Sequence, residues 1–477
     1  MNYDVAIVGA GVIGGMLARE LTRYRLSVCL LERENDVACG ASKANSGIVH
    51  GGFDPEPGTL KAKLNVEGVE KLFETAAALH VPCKRNGSFV CAFGPEEEPA
   101  IHALYRRGLE NGVPGMELLT GDEARALEPN LSPAVTLVLN VTNAGIICPY
   151  ELTVAAVGNA MDNGAVLKTN FEVTGLTAEN DGYTVTSAAG ETVSCRYLVN
   201  CAGGYGDRIS VLTGDDSFRI QPRAGEYLLL DKTEGGRVHH TIFQVPTKEG
   251  KGILVTPTVD GNLLTGPTAV HVPTPDSKET TPAGLAAVMR LAGKSVPSVS
   301  FRQVITSFTG VRASEAGGDF LIRPGKNAPR FLNVTAIDSP GLTSCVAIAE
   351  YAADVLKEMG LALAPNPDWD GTRPDPHAFR AMTTEEKNAY IQAHPDYGKI
   401  ICRCEGVSEG EIRDAIRRNP SAHDIDGVKR RTRAGMGRCQ GGFCMPSVME
   451  LLAEENGIPM EEVTKKGGAS RPLTGRL

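Results

Sequence analysis

The chain has 477 residues, enough for two to four domains, so it can bury several hydrophobic cores. Hydrophobic residues make up 42% of it and charged residues 22%, which excludes disordered, collagen-like and coiled-coil proteins. The net charge of −9 gives no reason to expect nucleic-acid binding. Glycine is abundant, with 54 residues, and the twelve cysteines need an explanation.

The N-terminal residues lead directly into an apolar strand, without the basic segment and removable apolar stretch of a signal peptide. The longest apolar region, 5–17, is interrupted by glycine and is too short to cross a bilayer. We therefore predict a cytoplasmic protein with no transmembrane segment, one that could reach a membrane only through a partner. Thiols stay reduced in that compartment, so clustered cysteines indicate metal ligands or redox groups rather than disulfides.

The first elements predict a dinucleotide-binding unit. An apolar strand over 5–8 is followed by Gly9, Gly11 and Gly14, a helix, and a second strand that ends at Glu32. These glycines allow a tight turn, close approach of a pyrophosphate and close helix packing, and the helix N-terminus attracts phosphates. Glu32 can accept hydrogen bonds from a ribose, and its carboxylate would repel a 2′-phosphate. The motif does not decide between NAD and FAD.

The segment 40–52, rich in glycine, serine and asparagine, carries a more specific signal. With residues 199–204, 221–227 and 338–344 it resembles the FAD-dependent family that includes D-amino acid oxidase, L-2-hydroxyglutarate oxidase and flavin-dependent glycerol-3-phosphate dehydrogenases. The resemblance extends over 1–360 and implies FAD as the cofactor. The further cofactor-binding residues that it implies are Ser42, Asn45, Ser46, Gly203, Gly341, Leu342 and Thr343. A helix beginning near Gly341 would direct the positive end of its dipole at the flavin.

Two residues match substrate-site positions of that family. Arg312, in the segment 309–312, matches an arginine that binds an anionic substrate, since guanidinium binds carboxylate or phosphate bidentately. His50 matches a position beside the flavin ring. It is either a general base for a substrate hydroxyl or a residue that packs against and orients the flavin, and a covalent link to the flavin is also open.

The resemblance leaves the substrate open between relatives. Residues 45–68 and 339–342 are similar to L-2-hydroxyglutarate oxidases. Glycerol-3-phosphate enzymes carry an arginine where this chain has Asp54, and a Gly-Gly-Lys where it has the segment 339–342. The absence of both cations weakens the phosphate interpretation, because one arginine suffices for a carboxylate whereas a phosphate dianion usually binds more donors. An amino or imino acid is the third alternative.

Four of the cysteines form a constellation near the C-terminus. Cys402, Cys404, Cys439 and Cys444 form C-x-C, 34 intervening residues and C-x4-C. Four thiolates from two loops suit tetrahedral zinc or a [2Fe–2S] cluster. The stretch resembles the bacterioferritin-associated ferredoxin-like [2Fe–2S] domain, in the form found in catalytic subunits of anaerobic glycerol-3-phosphate dehydrogenases. The resemblance implies the iron–sulfur cluster, which, unlike zinc, can accept electrons from a flavin.

Two helices and a basic run are predicted in this module. A capping box over 408–411 predicts a helix through Arg418, and a second helix extends from near Pro446 to Asn456. The basic run consists of residues 429–431 with Arg433 and Arg438. Three interpretations of the run stay open: it offsets the negative charge of the cluster, docks an acidic partner, or forms a solvated face.

These patterns predict an α/β FAD-binding Rossmann-like domain with an α+β substrate domain, followed by a small helical C-terminal [2Fe–2S] domain. The prolines near residue 365 indicate a connector between the large part and the small one. The predicted boundaries are 1–360 for the oxidoreductase (FAD-binding parts about 1–80, 145–215 and 330–360; substrate domain about 81–144 and 216–329), 361–398 for the linker, 399–460 for the [2Fe–2S] domain and 461–477 for a tail.

The predicted function is that of an FAD-dependent dehydrogenase. It would oxidise a small anionic hydroxy compound and pass electrons through the [2Fe–2S] cluster to a second flavoprotein or a quinone-linked acceptor subunit. The alternatives are an amino- or imino-acid dehydrogenase and a non-catalytic electron-transfer subunit. The presence of both Arg312 and His50 favours a substrate site on this chain.

Overall fold

The structure is a computed structural model that describes residues 2–246 and 252–475. Met1, residues 247–251 of the predicted substrate domain and residues 476–477 of the predicted tail lie outside the described part. The strands are β1 (Asn2–Val8), β2 (Val28–Leu31), β3 (Ile48–Val49), β4 (Cys83–Lys84), β5 (Ser88–Ala92), β6 (Met116–Thr120), β7 (Leu137–Val141), β8 (Gly145–Ile147), β9 (Val166–Lys168), β10 (Val173–Glu179), β11 (Gly182–Ser187), β12 (Thr192–Asn200), β13 (Ile220–Leu230), β14 (Thr241–Gln244), β15 (Leu254–Pro257), β16 (Leu263–Gly266), β17 (Val270–His271), β18 (Val304–Glu315), β19 (Leu321–Gly325), β20 (Ala328–Thr335), β21 (Ile400–Cys402) and β22 (Val407–Ser408). The helices are α1 (Val12–Leu21), α2 (Leu60–Ala78), α3 (Glu98–Glu110), α4 (Gly121–Leu127), α5 (Pro149–Asp162), α6 (Gly206–Val211), α7 (Pro282–Ser295), α8 (Gly341–Glu358), α9 (Ala378–Ala381), α10 (Thr384–Ala393), α11 (Glu409–Arg417), α12 (Ile425–Thr432) and α13 (Met445–Asn456).

The first sheet has a parallel centre. β9, β2, β1, β12 and β20 are parallel neighbours in that order, and β10, β11 and β19 extend the sheet by antiparallel pairing. Val5, Ile7 and Leu30 are fully buried because helices and strands cover both faces of the central strands. Helices α1, α2, α5 and α8 contribute apolar side chains to the same core. The predicted Rossmann-like arrangement is confirmed.

The second sheet has nine strands and supplies the wall opposite the first domain. Its longest strands, β13 and β18, have 11 and 12 residues and pair antiparallel along their length. Helix α7 packs on this sheet through Val288 and Ala292. Smaller sheets are formed by β3, β8 and β4 and by β21 and β22.

The last part of the chain that belongs to the first sheet starts before the predicted boundary at residue 330. β19 starts at Leu321 and pairs antiparallel with β20, Leu321 lying opposite Thr335. The reason is local, since a short turn returns the chain directly to its neighbour and carries β19 into the same sheet.

The C-terminal module has its own core. Ile412 of α11, Val428 of α12 and Leu452 of α13 pack together in it. The Ser408–Glu411 capping box at the start of α11 is confirmed, as is the helix that ends before Gly457. Sequence analysis did not identify α12. Val463 is buried in the same core, so the module extends beyond residue 460.

The connector crosses the surface of the first domain. Its carbonyl at Ala364 accepts a hydrogen bond from the Arg25 amide, at 2.8 Å. The Trp369 ring lies 5.3 Å from each of the guanidinium groups of Arg19, in α1, and Arg23, just after it. The later part of the predicted linker forms α9 and α10. None of the helices in the described ranges combines the length and the apolar run that crossing a membrane requires.

A buried ion pair joins the module to the first domain. Asp36 lies in the loop after β2, and its carboxylate binds both Arg430 and Arg431 of α12. Arg431 donates two hydrogen bonds of 2.8 Å to it, and its side chain is 0% exposed. Burial raises the pKa of Asp36, but the guanidinium groups outweigh burial and hold it well below its ordinary value. The solvated-face interpretation is therefore wrong for Arg430 and Arg431, because their charges are neutralised within the chain.

Replacing Asp36 with Asn leaves two guanidinium groups buried without the carboxylate that binds both of them. Removing one partner of a buried pair costs about 3–5 kcal/mol, so we expect amide hydrogen exchange in α12 to accelerate by about a hundredfold or more. The low pKa of Asp36 means that this stabilisation is present above about pH 4 and disappears as the carboxylate protonates at lower pH. The matched control is Asp122→Asn, since Asp122 is 96% exposed in a surface pair. Unchanged exchange in α12 would contradict the assignment.

Candidate active site and metal centre

The glycine turn lies between β1 and α1. Gly9 has φ +104°, and a Cβ atom at this position would lie 2.5 Å from the carbonyl oxygen of Cys201. A Cβ on Gly14 would lie 2.0 Å from the carbonyl oxygen of Gly9. The turn and the first turn of α1 therefore pack backbone against backbone. Gly11 lines the cavity in front of the helix N-terminus, where a pyrophosphate can approach.

Glu32 is buried at the end of β2. Its carboxylate accepts hydrogen bonds from the amides of Ala10 and Glu34, at 2.8 and 3.0 Å. Burial raises the pKa of this carboxyl despite those two donors. The carboxylate oxygens have further lone pairs, and Glu32 lines the cavity, so it can also accept hydrogen bonds from ribose hydroxyls.

The segment 40–52 is held in shape by its own polar side chains. Ser42 accepts a hydrogen bond of 2.9 Å from the amide of Val12, at the start of α1. Asn45 donates to the carbonyls of Ala41 and Ser42 and accepts from the amide of Gly47. Both side chains therefore fix the loop around the cavity.

Ser46 links the same loop to the second sheet. Its hydroxyl lies 3.3 Å from that of Tyr227 in β13. Gly203 follows β12, has φ +55° and lines the cavity with Ser46 and Tyr227. The segment 40–52, the first sheet and the second sheet therefore all border the same cavity.

His50 lies where this loop meets the start of α8. Its amide donates to the Thr343 hydroxyl at 2.9 Å, and its carbonyl accepts from Asn65 at 2.8 Å. Its ring Nε2 lies 3.4 Å from the hydroxyl of Ser339, and the ring is 5.8 Å from that of Phe243. Backbone contacts therefore fix the position of His50, while its ring faces the cavity.

The N-terminus of α8 opens onto the same cavity. Gly341 and Leu342 line it, and among the described residues no side chain caps this end of the helix. The positive end of the helix dipole is therefore available to a group bound there, as at α1. Thr343 turns inward to His50 and supports the site from behind.

The cavity has a volume of about 1350 Å³ and extends from the glycine turn to Arg312. Pockets for small ligands have volumes of about 300–1,000 Å³, so this one has room for a dinucleotide and a small substrate together. The cradle at Gly9 and Gly14, the buried acceptor Glu32 and the volume fit FAD.

Two arginines stand opposite each other on the cavity wall. Arg312 of β18 is the register partner of Arg223 of β13, and both line the cavity. Directly opposed residues of an antiparallel pair share a face, with Cβ atoms about 4.5–5.5 Å apart. Arg312 forms no ion pair with any residue in 2–246 or 252–475. A Cβ on Gly225 would lie 3.3 Å from its Nη2, so the missing side chain gives the guanidinium room.

The four cysteines of the module form two pairs. The Cys404 and Cys439 sulfurs lie 3.6 Å apart, and Cys402 is hydrogen-bonded to Cys444. Sulfurs that share one tetrahedral metal at 2.3 Å are about 3.8 Å apart, so the first pair already has the spacing of two ligands on one ion. Within the described ranges no three metal-binding side chains converge on a single point. Two pairs suit two irons, each with two thiolates, better than one zinc.

Backbone amides point at these sulfurs. Burial raises the pKa of Cys439, but the Cys404 thiol and the amides of Gly441, Phe443 and Gly442 lower it below the ordinary value. The Cys444 thiol and the amides of Gly435 and Glu405 likewise lower the pKa of Cys402. The partner thiols Cys404 and Cys444 have raised pKa values, so these donors favour one thiolate in each pair, and the thiolate is the form that binds metal.

Arg433 connects the cluster loop to the rest of the chain. Its guanidinium binds Glu405 at 2.9 Å and Asp260 at 2.5 Å, and donates to the hydroxyl of Tyr150 at 3.1 Å. The same hydroxyl lies 3.4 Å from the sulfur of Met436. Arg433 therefore belongs to a buried network and not to a solvated face.

Sequence analysis missed several of these residues. Arg223 lay within the quoted segment 221–227, but only strand register brings it opposite Arg312. Asp36, Tyr150 and Asp260 carry no local signal because their partners are far away in the chain. Ser339 lies in the segment 339–342, and its contact with His50 appears only in the structure.

Comparison with known proteins agrees with this geometry. The family model for FAD dependent oxidoreductases matches residues 4–355, and that for the BFD-like [2Fe-2S] binding domain matches residues 400–454. The chain is 44% identical over 473 residues to a glycerol 3-phosphate dehydrogenase of Caloramator mitchellensis, covering 99% of this chain and 98% of that protein. It is 29% identical to the human mitochondrial L-2-hydroxyglutarate dehydrogenase, over 75% of this chain and 89% of that one. The structure of FAD-bound L-α-glycerophosphate oxidase from Mycoplasma pneumoniae superposes with a TM-score of 0.74 at 32% identity, covering 78% of this chain and 98% of that one.

These matches confirm FAD and a [2Fe–2S] cluster as the cofactors, and zinc is set aside. They also confirm that the protein is an FAD-dependent dehydrogenase of small anionic hydroxy compounds with iron–sulfur electron transfer. The chain belongs to the FAD-dependent oxidoreductase family and carries a BFD-like [2Fe–2S] binding domain after its oxidoreductase domain.

Proposed function

We propose that the substrate is glycerol 3-phosphate. The observation that carries this proposal is the relationship to the Caloramator mitchellensis glycerol 3-phosphate dehydrogenase, which extends over 99% of the chain and so includes the cluster module. Relatives named for L-2-hydroxyglutarate cover about three quarters of it.

The pair Arg223 and Arg312 supports a phosphate substrate on physical grounds. In the sequence, two cations typical of glycerol-3-phosphate enzymes are absent, at Asp54 and in the segment 339–342. Arg223 on the strand opposite Arg312 offers a second guanidinium on the same cavity face. Two guanidinium groups can each donate two hydrogen bonds to a phosphate dianion, and their combined charge balances the charge of the dianion.

The catalytic roles follow from what lines the cavity. FAD bound here would take up a hydride, and the cluster would carry single electrons onwards. Arg312 and Arg223 hold the phosphate, and so orient the carbon that carries the hydroxyl. His50 accepts the hydroxyl proton at Nε2, where the substrate hydroxyl takes the place of the Ser339 hydroxyl that lies 3.4 Å away. Tyr227 and Phe243 also line this part of the cavity, and their rings give it apolar surface.

The cluster ligands in this proposal are Cys402, Cys404, Cys439 and Cys444. Each oxidised substrate releases two electrons, and these leave the module one at a time. The acceptor is a second flavoprotein or a quinone-linked subunit, because a cluster on the same chain provides a one-electron exit that a direct reaction with oxygen does not need.

L-2-hydroxyglutarate is the second candidate, favoured by the similarity of residues 45–68 and 339–342 to its oxidases and by the human relative. Anaerobic titration of the purified holoenzyme separates the two. We expect glycerol 3-phosphate to bleach the flavin absorbance near stoichiometry and L-2-hydroxyglutarate to leave it unchanged. Bleaching by L-2-hydroxyglutarate alone would overturn the proposed substrate, and bleaching by neither would overturn the catalytic assignment.

Arg223→Gln removes one of the two cations from the phosphate site. A hydrogen bond to a charged group contributes about 1.5–3 kcal/mol, so we expect KM for glycerol 3-phosphate to rise by roughly 10–100-fold. Steady-state assays with a dye acceptor measure the effect. Arg219→Gln is the matched control, because Arg219 is exposed just before the same strand. An unchanged KM in the Arg223 variant would exclude this residue from the phosphate site.

His50→Gln tests the general base. If His50 accepts the hydroxyl proton, kcat/KM falls by roughly 10²-fold or more, and the pH dependence of flavin reduction changes. The measurement is anaerobic flavin reduction from pH 5.5 to 9. A residue that only orients the flavin would lower the rate and leave the pH dependence in place. His80→Gln is the control, since the His80 side chain is 43% exposed.

A further inference from the structure

The surface over the paired thiols Cys404 and Cys439 differs from the rest of the module. Cys404 is exposed, whereas Cys402 and Cys444 are buried. Phe443, in the loop between two of the ligands, is 87% exposed, the highest value among the exposed large hydrophobic residues of the described chain. The Phe443 amide points at the Cys439 sulfur, which places this ring directly beside the metal site. The module has a well-packed core, so this exposure is not a consequence of poor packing.

Two exposed cations flank the same thiols. Arg403 precedes Cys404 and Arg438 precedes Cys439 in the chain, and both side chains are exposed. Neither forms an ion pair with any described residue. The other basic residues nearby behave differently, because Arg430, Arg431 and Arg433 are buried against carboxylates.

The acidic residue of these loops is turned inward. Glu405 is the one carboxylate within residues 402–405 and 437–444. Its side chain is 3% exposed and binds Arg433 and Lys232. The exposed charge of the two ligand loops is therefore positive, although the whole chain carries −9.

We infer that Arg403, Arg438 and Phe443 form the docking surface for an acidic electron-carrier protein. Aromatic residues and arginine are enriched in protein interfaces, and exposed apolar groups with a polar rim mark interaction sites. Unpaired cations beside the exposed ligand steer an acidic protein to the point where the cluster is nearest the surface. A small patch of this kind suits the weak, short-lived contacts of electron transfer. One electron leaves the reduced cluster and enters the carrier at each encounter, and two encounters follow each substrate oxidised.

This inference rests on the proposed export of electrons through the cluster, and the test separates the two. The holoenzyme is reduced with stoichiometric dithionite, so that no substrate is needed, and is mixed with oxidised flavodoxin as the acidic probe or with basic cytochrome c. We expect Arg403→Gln/Arg438→Gln to lower the second-order rate constant with flavodoxin at least tenfold at low ionic strength, and the difference to vanish at high salt. We expect Phe443→Ala also to lower the rate constant with flavodoxin. This decrease persists at high salt, because salt does not screen the contact made by an apolar ring.

Two controls make the outcome decisive. Arg106→Gln removes an exposed arginine on α3, outside the cluster module, and leaves the flavodoxin rate unchanged. The visible absorption of the cluster verifies that each variant keeps its iron. Equal flavodoxin rates in wild type and the double variant, or an equal loss with cytochrome c, would overturn the docking surface. Failure of glycerol 3-phosphate to reduce the flavin, with the flavodoxin preference intact, would overturn the proposed substrate and leave the docking surface standing.

Discussion

The buried pairing of Asp36 with Arg430 and Arg431 determines how the cluster module sits on the oxidoreductase domain. Three charged groups are removed from water, and their mutual attraction compensates for this only when both partners are in place. A module that rotated or slid would leave two guanidinium groups or a carboxylate buried alone. The pairing therefore selects one orientation more than it adds stability. Arg433 repeats the arrangement a few residues later, with Glu405 and Asp260 as its carboxylates.

This fixed orientation brings the two cofactor sites into a defined relation. Asp36 lies four residues after Glu32, so the loop that carries the ribose acceptor also carries the anchor of the module. Within the segment 40–52, a Cβ atom on Gly47 would lie 2.6 Å from the carbonyl oxygen of Ile147, so this segment packs tightly against the chain that leads to Pro149. The next residue, Tyr150, contacts Arg433 and Met436 of the cluster loop. Electron transfer weakens steeply with distance, and a rigid contact between the loops keeps that distance constant.

Local signals predicted the parts of the fold that depend on neighbouring residues. The glycine turn, the buried strands around it, the capping box at Ser408 and the glycine stop after α13 all follow from conformational preferences within a few residues. Helix α12 was missed because it is short and three of its eight residues form a basic run, so the sequence there indicates a charge run and not an amphipathic helix. Its arginines are buried only because Asp36, nearly 400 residues earlier, neutralises them. Such a partner cannot be inferred from the run itself.

The two arginines of the candidate substrate site are also brought together by contacts between distant parts of the sequence. Comparison of motif positions finds Asp54 where a phosphate-binding arginine is expected, and so points to a carboxylate substrate. The strand register shows two cations at the cavity instead of one. Arg223 of β13 and Arg312 of β18 lie opposite each other, although 88 residues lie between them in the sequence. Paired strands can place cations from different sequence positions around one bound anion. The positions that supply these cations can therefore differ between proteins while the charge around the anion stays the same. The number of cations facing the cavity, rather than their place in a motif, is therefore the quantity that bears on the substrate.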